Sequence, residues 1–459
     1  MKKLLGLLRE HKLFFLLATL AALALRLLFV FRFPHISGDT FIYGDIAKNW
    51  LEHGIYGLSE SGAIRPTLIR LPGYPAFLAA IFAIFGREHY TAVMVAQALI
   101  DTNTCMVIAA LALELMNARA ALAAYLIAAV CPFTANYTAA PLAETLAIFC
   151  TAHVLYYGIR GLKGIESGGR PTALWAIAGA WNAAGILLRP DGVLLLVPFG
   201  AALIYLLVRH VNRKQITAGL AAFVLISLAP LVPWTVRNWW TFHAFQPLAP
   251  RYATDPGEFV PLGFNRWVKT WLVEYVSVEE VFWSVPGDKI DIDDIPQRAF
   301  DSRAQCDETD SLLDDYNSQL TLGPELDTRF AQLAQERIWH NPFRYYVWLP
   351  FLRIADMWLR PRTELLPVES LWWEFLEDVK NSLFSLFWAV IDLLYLLLAL
   401  RGWMNWRLGL CGVVLVGFVL LRSTFLGTLE NPEPRYVLEC FPVVLAFAGA
   451  AFSRHGERG

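Results

Sequence analysis

The chain has 459 residues, 56% of them hydrophobic and only 17% charged, with a formal net charge of −2. Its mean hydropathy of +0.45 is too high for an ordinary soluble enzyme, and no basic stripe interleaved with aromatics gives reason to expect a nucleic-acid partner. Composition therefore predicts an all-α polytopic membrane protein, in which the position of the few charges is the informative quantity. Of six cysteines, Cys105, Cys131, Cys150, Cys411 and Cys440 fall in apolar runs and read as small buried hydrophobes. Cys306 stands in a polar region, and no spacing suggests zinc or a disulfide framework.

In chain order, residues 13–33 form the first apolar run, preceded by Lys2, Lys3, Arg9 and Lys12. At 1.5 Å per residue the run is long enough for a hydrocarbon core of about 30 Å. The flanking charges put the N-terminus in the cytoplasm, and the run lacks a small-residue cleavage site, so it reads as a retained span. Next comes "HISGDTFIYGDIAKNW", residues 35–50, which carries Asp39, Tyr43 and Asp45. The apolar stretch 72–86 would be only about 22 Å long as a helix, so it is expected to be re-entrant or interfacial.

Leaving that stretch out of the count, spans at 90–115, 120–133, 142–159, 172–188, 193–208 and 216–236 bring both basic loops, Arg160/Lys163/Arg170 and "RHVNRK", to the cytoplasmic side. Residues 237 to about 381 then fall outside, with an acidic middle that reads as a solvated surface; the EF-hand order is absent, which makes calcium the lesser reading. Spans 383–400, 408–421 and 436–452 follow, with Arg401, Arg407 and Arg454 inside. The sum is about ten spans with both termini cytoplasmic, plus an interfacial element near 345–359 that holds Arg353 and Asp356. The expected division is a core at 1–236 of about seven spans with an outer loop at 34–89, an extracytoplasmic region at 237–380 and C-terminal spans at 381–459.

Within the spans, Arg26 is expected to snorkel outward, Asp101 to pair inside the bundle and His153 to be a satisfied bundle histidine. Asn136-Tyr137-Thr138 fits an N-glycosylation pattern, meaningful only in a secretory eukaryotic context.

This topology gathers Asp39, Asp45, Arg65, Arg70, Tyr74, Glu144, Arg189, Asp191, Arg237, Asn238, Glu430, Glu433, Arg435 and Tyr436 at the outer surface. Guanidinium forks suit a lipid phosphate, and a lone acid beside one suits a general base. Each residue also has a plainer reading. Asp39 suits a helix N-cap before 40–51, Asp45 a surface position of that helix, Arg70 and Arg237 interfacial anchoring, and Glu144 a structural ion pair.

The ordered set "SGDTFIYGDIAKNWLEHGIYG", "RLPGYPAFLAAIFAIFG", "PLAETLAIF", "LLRPDG", "PWTVRNWWTFHAFQPL" and "ENPEPRYVLECFPVV" resembles the GT-C class of polyprenyl-phosphate-sugar-dependent glycosyltransferases. Its protein O-mannosyltransferase-like and lipid-A aminoarabinose transferase-like branches are the nearest in pattern. The resemblance covers 13–452 except about 255–342. It implies a GT-C bundle with interfacial helices in the first outer loop and a multi-pass protein of the plasma membrane. It also implies an inverting transfer in which Asp39 is the catalytic base and Arg70, with Arg65, holds the donor phosphate. Tyr43, Asp45, Tyr74, Glu144, Arg237, Arg435 and Tyr436 would then surround the substrates. The lipid-A branch has Glu-Lys-Pro where this chain has Arg70-Leu71-Pro72, so the role of that glutamate does not carry over. The class allows a divalent metal near Asp39 and Glu144, but no ligand set is legible. The donor implied is a polyprenyl-phosphate sugar; the acceptor, whether lipid, protein or glycan, stays open. A transporter or flippase would show inverted repeats, which are not seen, and a ligase or polymerase using lipid-pyrophosphate glycans is the other alternative.

Overall fold

The computed structural model describes residues 2–36, 38–209, 212–373, 375, 378–406 and 409–453. Arg407 and Arg454, expected to mark cytoplasmic loop ends, lie outside the described residues. After α1 (Lys2–Glu10), α2 (Lys12–Arg32) buries Phe15, Ala18, Ala22, Arg26 and Phe29 at helical spacing. Its Leu13, Leu16, Leu17, Leu20 and Leu28 are exposed. A helix packed on one face and bare apolar on the other is solvated by lipid.

α3 (Asp39–His53) ends at Gly54, whose left-handed backbone returns its N–H to the Trp50 carbonyl. Gly38 occupies the N-cap position, and Asp39 is the first helical residue. The reading of Asp39 as N-cap is thus corrected, and its carboxylate is spent elsewhere. A small antiparallel hairpin follows, β1 (Gly57–Glu60) on β2 (Ala63–Pro66), with Leu58 opposite Arg65. α4 (Gly73–Phe85) is about 20 Å long and stays short, as its sequence requires. A Cβ on Gly73 would stand 2.6 Å from the Leu187 carbonyl, so only glycine lets α4 start against the end of the helix that closes at Leu188.

The bundle continues through α5 (Tyr90–Leu115), α6 (Ala118–Ala129), α7 (Pro132–Tyr137), α8 (Glu144–Glu166), α9 (Thr172–Leu188), α10 (Leu196–Val208), α11 (Arg213–Leu228) and α12 (Leu231–Phe242). Arg26 does not snorkel. It is fully buried, its Nε donates to Asp101 at 2.9 Å, and its Nη1 reaches the Ala22 and Ala129 carbonyls at 2.9 and 2.8 Å. One guanidinium therefore joins α2, α5 and α6, because Asp101 offers a nearer partner than the membrane surface. His153 stacks on Trp181 at 4.1 Å, with Nδ1 2.9 Å from the Phe149 carbonyl oxygen. Asn136, Tyr137 and Thr138 are all buried, out of reach of glycosylation.

Between the bundle halves, α13 (Leu262–Val268), the single turn α14 (Tyr275–Ser277), α15 (Arg303–Gln319) and α16 (Pro324–His340) enclose a separate core of Trp267, Trp271, Leu312 and Phe330. α17 (Leu349–Leu359) leads to α18 (Val379–Met404), α19 (Leu410–Gly427) and α20 (Phe441–Ala450), which rejoin the first half of the chain in one large apolar cluster. Among the described residues, six helical stretches are long and apolar enough to cross a membrane: Lys12–Arg32, Tyr90–Leu115, Pro190–Val208, Arg213–Phe242, Val379–Met404 and Leu410–Gly427. Gly73–Phe85, Ala118–Ala129 and Thr172–Leu188 are shorter apolar helices. The described cysteines are unpaired; five are buried and Cys306 is half-buried.

The C-terminus of α2, the N-terminus of α8, the end of α9 and the segment before α20 meet at one end of the bundle. At the other end Arg160 and Glu114 approach to 3.5 Å, and Lys163 contacts the Glu114 carbonyl. Asp39, Arg70, Glu144, Arg189, Asp191, Glu433 and Arg435 collect at the first end.

Candidate active site

Three groups of chain segments build the site. The first is α3 with the strap 67–72 that follows the hairpin. Tyr56 Oη donates to the Arg70 carbonyl at 2.8 Å, while Arg237 on α12 donates to the Thr67 and Tyr56 carbonyls at 2.7 and 2.8 Å. The Arg237 guanidinium also lies 5.2–5.3 Å from the Trp234, Phe242 and Tyr56 ring centroids. Arg237 thus fastens the strap that carries Arg70. The second group is the start of α8 and the turn after α9, with Glu144, Arg189 and Asp191. The third group is the stretch before α20, with Glu433, Arg435 and Tyr436.

These segments converge on Asp39. Arg70 Nη2 donates to Asp39 Oδ1 at 2.6 Å, and Arg435 Nη2 lies 3.4 Å from Oδ2. Arg435 Nε stands 2.5 Å from Glu433 and 3.6 Å from Glu144. Arg189 takes Glu144 at 2.7 Å and Glu439 at 3.2 Å, and Arg422 bridges Asp191 at 2.8 Å to Glu439 at 2.7 Å. Charges of alternating sign therefore run from the Asp39 wall into the bundle, which offsets the cost of carrying each one there. The Tyr436 ring lies 4.8 Å from the Arg189 guanidinium and 5.4 Å from that of Arg435, and its hydroxyl donates to Glu433.

Asp39, Tyr43, Arg70, Glu144, Arg189 and Arg435 face a common cavity of about 1530 Å³. The Asp39 side chain is 29% exposed and that of Arg70 19%. Burial works to raise the Asp39 pKa, but the guanidinium groups of Arg70 and Arg435 overcome it and hold the carboxyl below its ordinary value. Burial pushes Glu433 up although Arg435 faces it. Burial likewise pushes the Tyr43 phenol up to about 12, so it serves as a neutral hydroxyl.

The remaining candidates lie elsewhere. Arg65 is an exposed hairpin residue paired with Glu60 at 2.7 Å. Asp45 accepts from Ser59 N at 2.6 Å and Ser59 Oγ at 2.9 Å, tying α3 to β1. Tyr74 is buried behind Tyr43 at 4.9 Å and donates to Gln97 at 2.7 Å. Sequence reasoning missed Arg422 and Glu439; the usable signal was a charge inside an apolar run, in "VLLRSTFLG" and "YVLECFPVV". Arg189, Asp191 and Glu433 were placed at this surface without a role.

The fold is that of GT-C membrane glycosyltransferases, as the sequence resemblance implied. Residues 66–234 match the family model described as dolichyl-phosphate-mannose-protein mannosyltransferase, a range that includes Arg70, Glu144, Arg189 and Asp191 but not Asp39 or Arg435. The solved archaeal oligosaccharyltransferase AglB from Archaeoglobus fulgidus, in complex with an inhibitory peptide and a dolichol-phosphate, is similar with a TM-score of 0.53 at 12% identity, over 97% of this chain and 50% of that one. Its complex with Zn and sulfate gives 0.51 at 13% identity, over 95% and 48%. ArnT from Cupriavidus metallidurans in the apo state gives 0.39 at 14% identity, over 95% and 77%. The chain spans about half the length of the oligosaccharyltransferase it resembles. No curated protein sequence matches it.

The metal that the resemblance allows near Asp39 and Glu144 meets a specific obstacle. Arg435 stands between these carboxylates, at 3.4 and 3.6 Å, and each also faces a second arginine at 2.6 or 2.7 Å. Among the described residues no three His, Cys, Asp or Glu side chains are grouped to hold an ion. This donor set does not fit a divalent cation.

Proposed function

We propose that this chain transfers a sugar from a polyprenyl-phosphate donor to an acceptor at the extracytoplasmic face of the plasma membrane, with inversion. The observation that carries the reading is Asp39 held between Arg70 and Arg435 on the wall of a large cavity at one end of the bundle. An incoming phosphate competes with Asp39 for both arginines, since a guanidinium binds phosphate as readily as carboxylate. Once freed, the Asp39 carboxylate accepts the proton of the acceptor O–H or N–H. The acceptor lone pair forms the new bond to the anomeric carbon from the face opposite the phosphate. The carbon–oxygen bond to phosphate breaks with its electron pair on the phosphate oxygen, where Arg70 and Arg435 stabilise the charge. A single displacement with one base gives inversion; retention through a glycosyl intermediate needs a nucleophile as well as an acid/base group.

The test uses the full chain in nanodiscs with radiolabelled sugars on polyprenyl monophosphate or diphosphate and an extract of membrane acceptors. Turnover of a monophosphate donor with an inverted product anomer is the expected outcome. Turnover of diphosphate donors alone would support the ligase or polymerase alternative, and no turnover with either would leave the transporter reading.

Arg70 and Arg65 are only five positions apart yet are expected to behave differently. Arg70→Gln should raise the donor KM by about 10- to 100-fold, the loss of one charged hydrogen bond of about 1.5–3 kcal/mol. Arg65→Gln, on the exposed hairpin, should leave it within about twofold. Equal effects would show that the hairpin, rather than Arg70, governs donor binding.

A further inference from the structure

The cavity has a second charged wall away from Asp39. Arg251 and Tyr252 from the loop after α12, Lys269 from the end of α13 and Glu430 from the segment after α19 all line it. Arg251 Nη2 lies 2.6 and 2.8 Å from the two Glu430 oxygens, and its other N–H groups make no hydrogen bond among the described residues. Lys269 Nζ comes no nearer to a carboxylate than 3.8 Å, again Glu430, although its side chain is only 17% exposed. Behind it the fully buried Arg353 spends its N–H groups on carbonyls, including that of Lys269 at 2.5 Å, and among the described residues no carboxylate lies within ion-pair distance of it. Among the described residues Arg251 and Lys269, with Arg353 buried behind them, thus share Glu430 as their one carboxylate neighbour, which leaves two positive charges in excess.

A lysine that snorkels to the surface keeps its head in water. Here the ammonium is held back in a cavity wall, 5.9 Å from the Tyr345 ring centroid, and its three donors make no hydrogen bond among the described residues. Such a group costs free energy unless an anion arrives to neutralise it. An excess of two charges matches a phosphate monoester, which carries about −1.5 to −2 at neutral pH.

We propose that Arg251, Tyr252 and Lys269 form a second anion subsite, which takes a phosphate group of the acceptor while the donor phosphate is held at Arg70 and Arg435. The inference rests on the transfer reading above and narrows its acceptor to a phosphate-bearing molecule. The subsite is supplied by chain segments outside 66–234, the range that matches the mannosyltransferase family model.

The experiment is a calorimetric titration of inorganic pyrophosphate into the full chain in phosphatidylcholine nanodiscs, after the donor site has been saturated with polyprenyl phosphate. One equivalent is expected to bind. Lys269→Gln and, separately, Arg251→Gln should weaken it by about tenfold or more, the loss of one charge-assisted contact. Polyprenyl phosphate affinity should change by less than about twofold, which also reports that each variant is folded. Absence of pyrophosphate binding to the saturated parent, or equal binding by parent and both variants, overturns the proposal. In a parallel arm, phosphatidylglycerol is added to the nanodiscs. If it abolishes pyrophosphate binding, the cluster serves bilayer headgroups and the acceptor assignment falls; unchanged binding supports it. Should polyprenyl phosphate itself not bind, the transfer reading fails independently, and comparing unsaturated parent with Lys269→Gln still decides the subsite.

Discussion

Asp39→Asn is expected to lower sugar transfer by about 10²- to 10⁴-fold, the usual contribution of a positioned general base, without loss of donor affinity. Asparagine keeps the shape but neither takes a proton nor competes for Arg70 and Arg435, so polyprenyl phosphate should bind as well as before or better. A single-turnover assay beside a binding titration separates these effects. Retained transfer would remove Asp39 from the mechanism, and a collapse of donor binding would make it a structural partner of the arginines.

The same pairing predicts an asymmetry in pH dependence. In the free protein Arg70 and Arg435 hold the Asp39 carboxyl below its ordinary value. The stability these pairs contribute is therefore complete above the unfolded carboxyl pKa and is lost as pH falls through the lower, folded one. In the donor complex the phosphate draws the arginines away and adds negative charge, both of which favour the protonated carboxyl. The acid limb of kcat, which reports the complex, should therefore lie at higher pH than that of kcat/KM, which reports the free enzyme. Coincident limbs would mean that Asp39 keeps its arginines throughout the reaction.

The second large effect is structural. Arg26→Met should destabilise the bundle by about 3–5 kcal/mol, because it leaves Asp101 buried without its cation. Both side chains are almost wholly inaccessible, with closest approach 2.8 Å. Arg26→Met combined with Asp101→Leu should recover most of the loss, since two apolar side chains replace the pair without stranding a charge. Denaturation in mixed micelles measures both variants. A single substitution costing under about 1 kcal/mol would place the pair among the weakly contributing ion pairs of exposed surfaces.

How far the sequence spoke depended on the distance over which each decision is made. The short α4 was legible because thirteen apolar residues between Pro72 and Gly86 cannot reach across a bilayer, and a local length settles that. The opposite fates of Arg65 and Arg70 were not. Both precede the same apolar element, but a hairpin register that sets Arg65 opposite Leu58 leaves it exposed beside Glu60, while the next strap turns Arg70 to Asp39. Arg237 reads as an interfacial anchor from its tryptophan neighbours; only packing shows that its N–H groups grip the carbonyls of that strap.

Composition and loop charges by themselves determined that this is a polytopic helical protein, and the motif order pointed to the GT-C fold. These are properties of segments, set by the water–lipid partition of each stretch of chain. Which carboxylate meets which guanidinium was decided only by tertiary structure. Asp39 and Arg435 are 396 positions apart, and Asp191 and Arg422 are 231 apart. No local periodicity encodes such partners; they meet because packing the helices leaves each charge no cheaper neighbour than an opposite one from a distant loop.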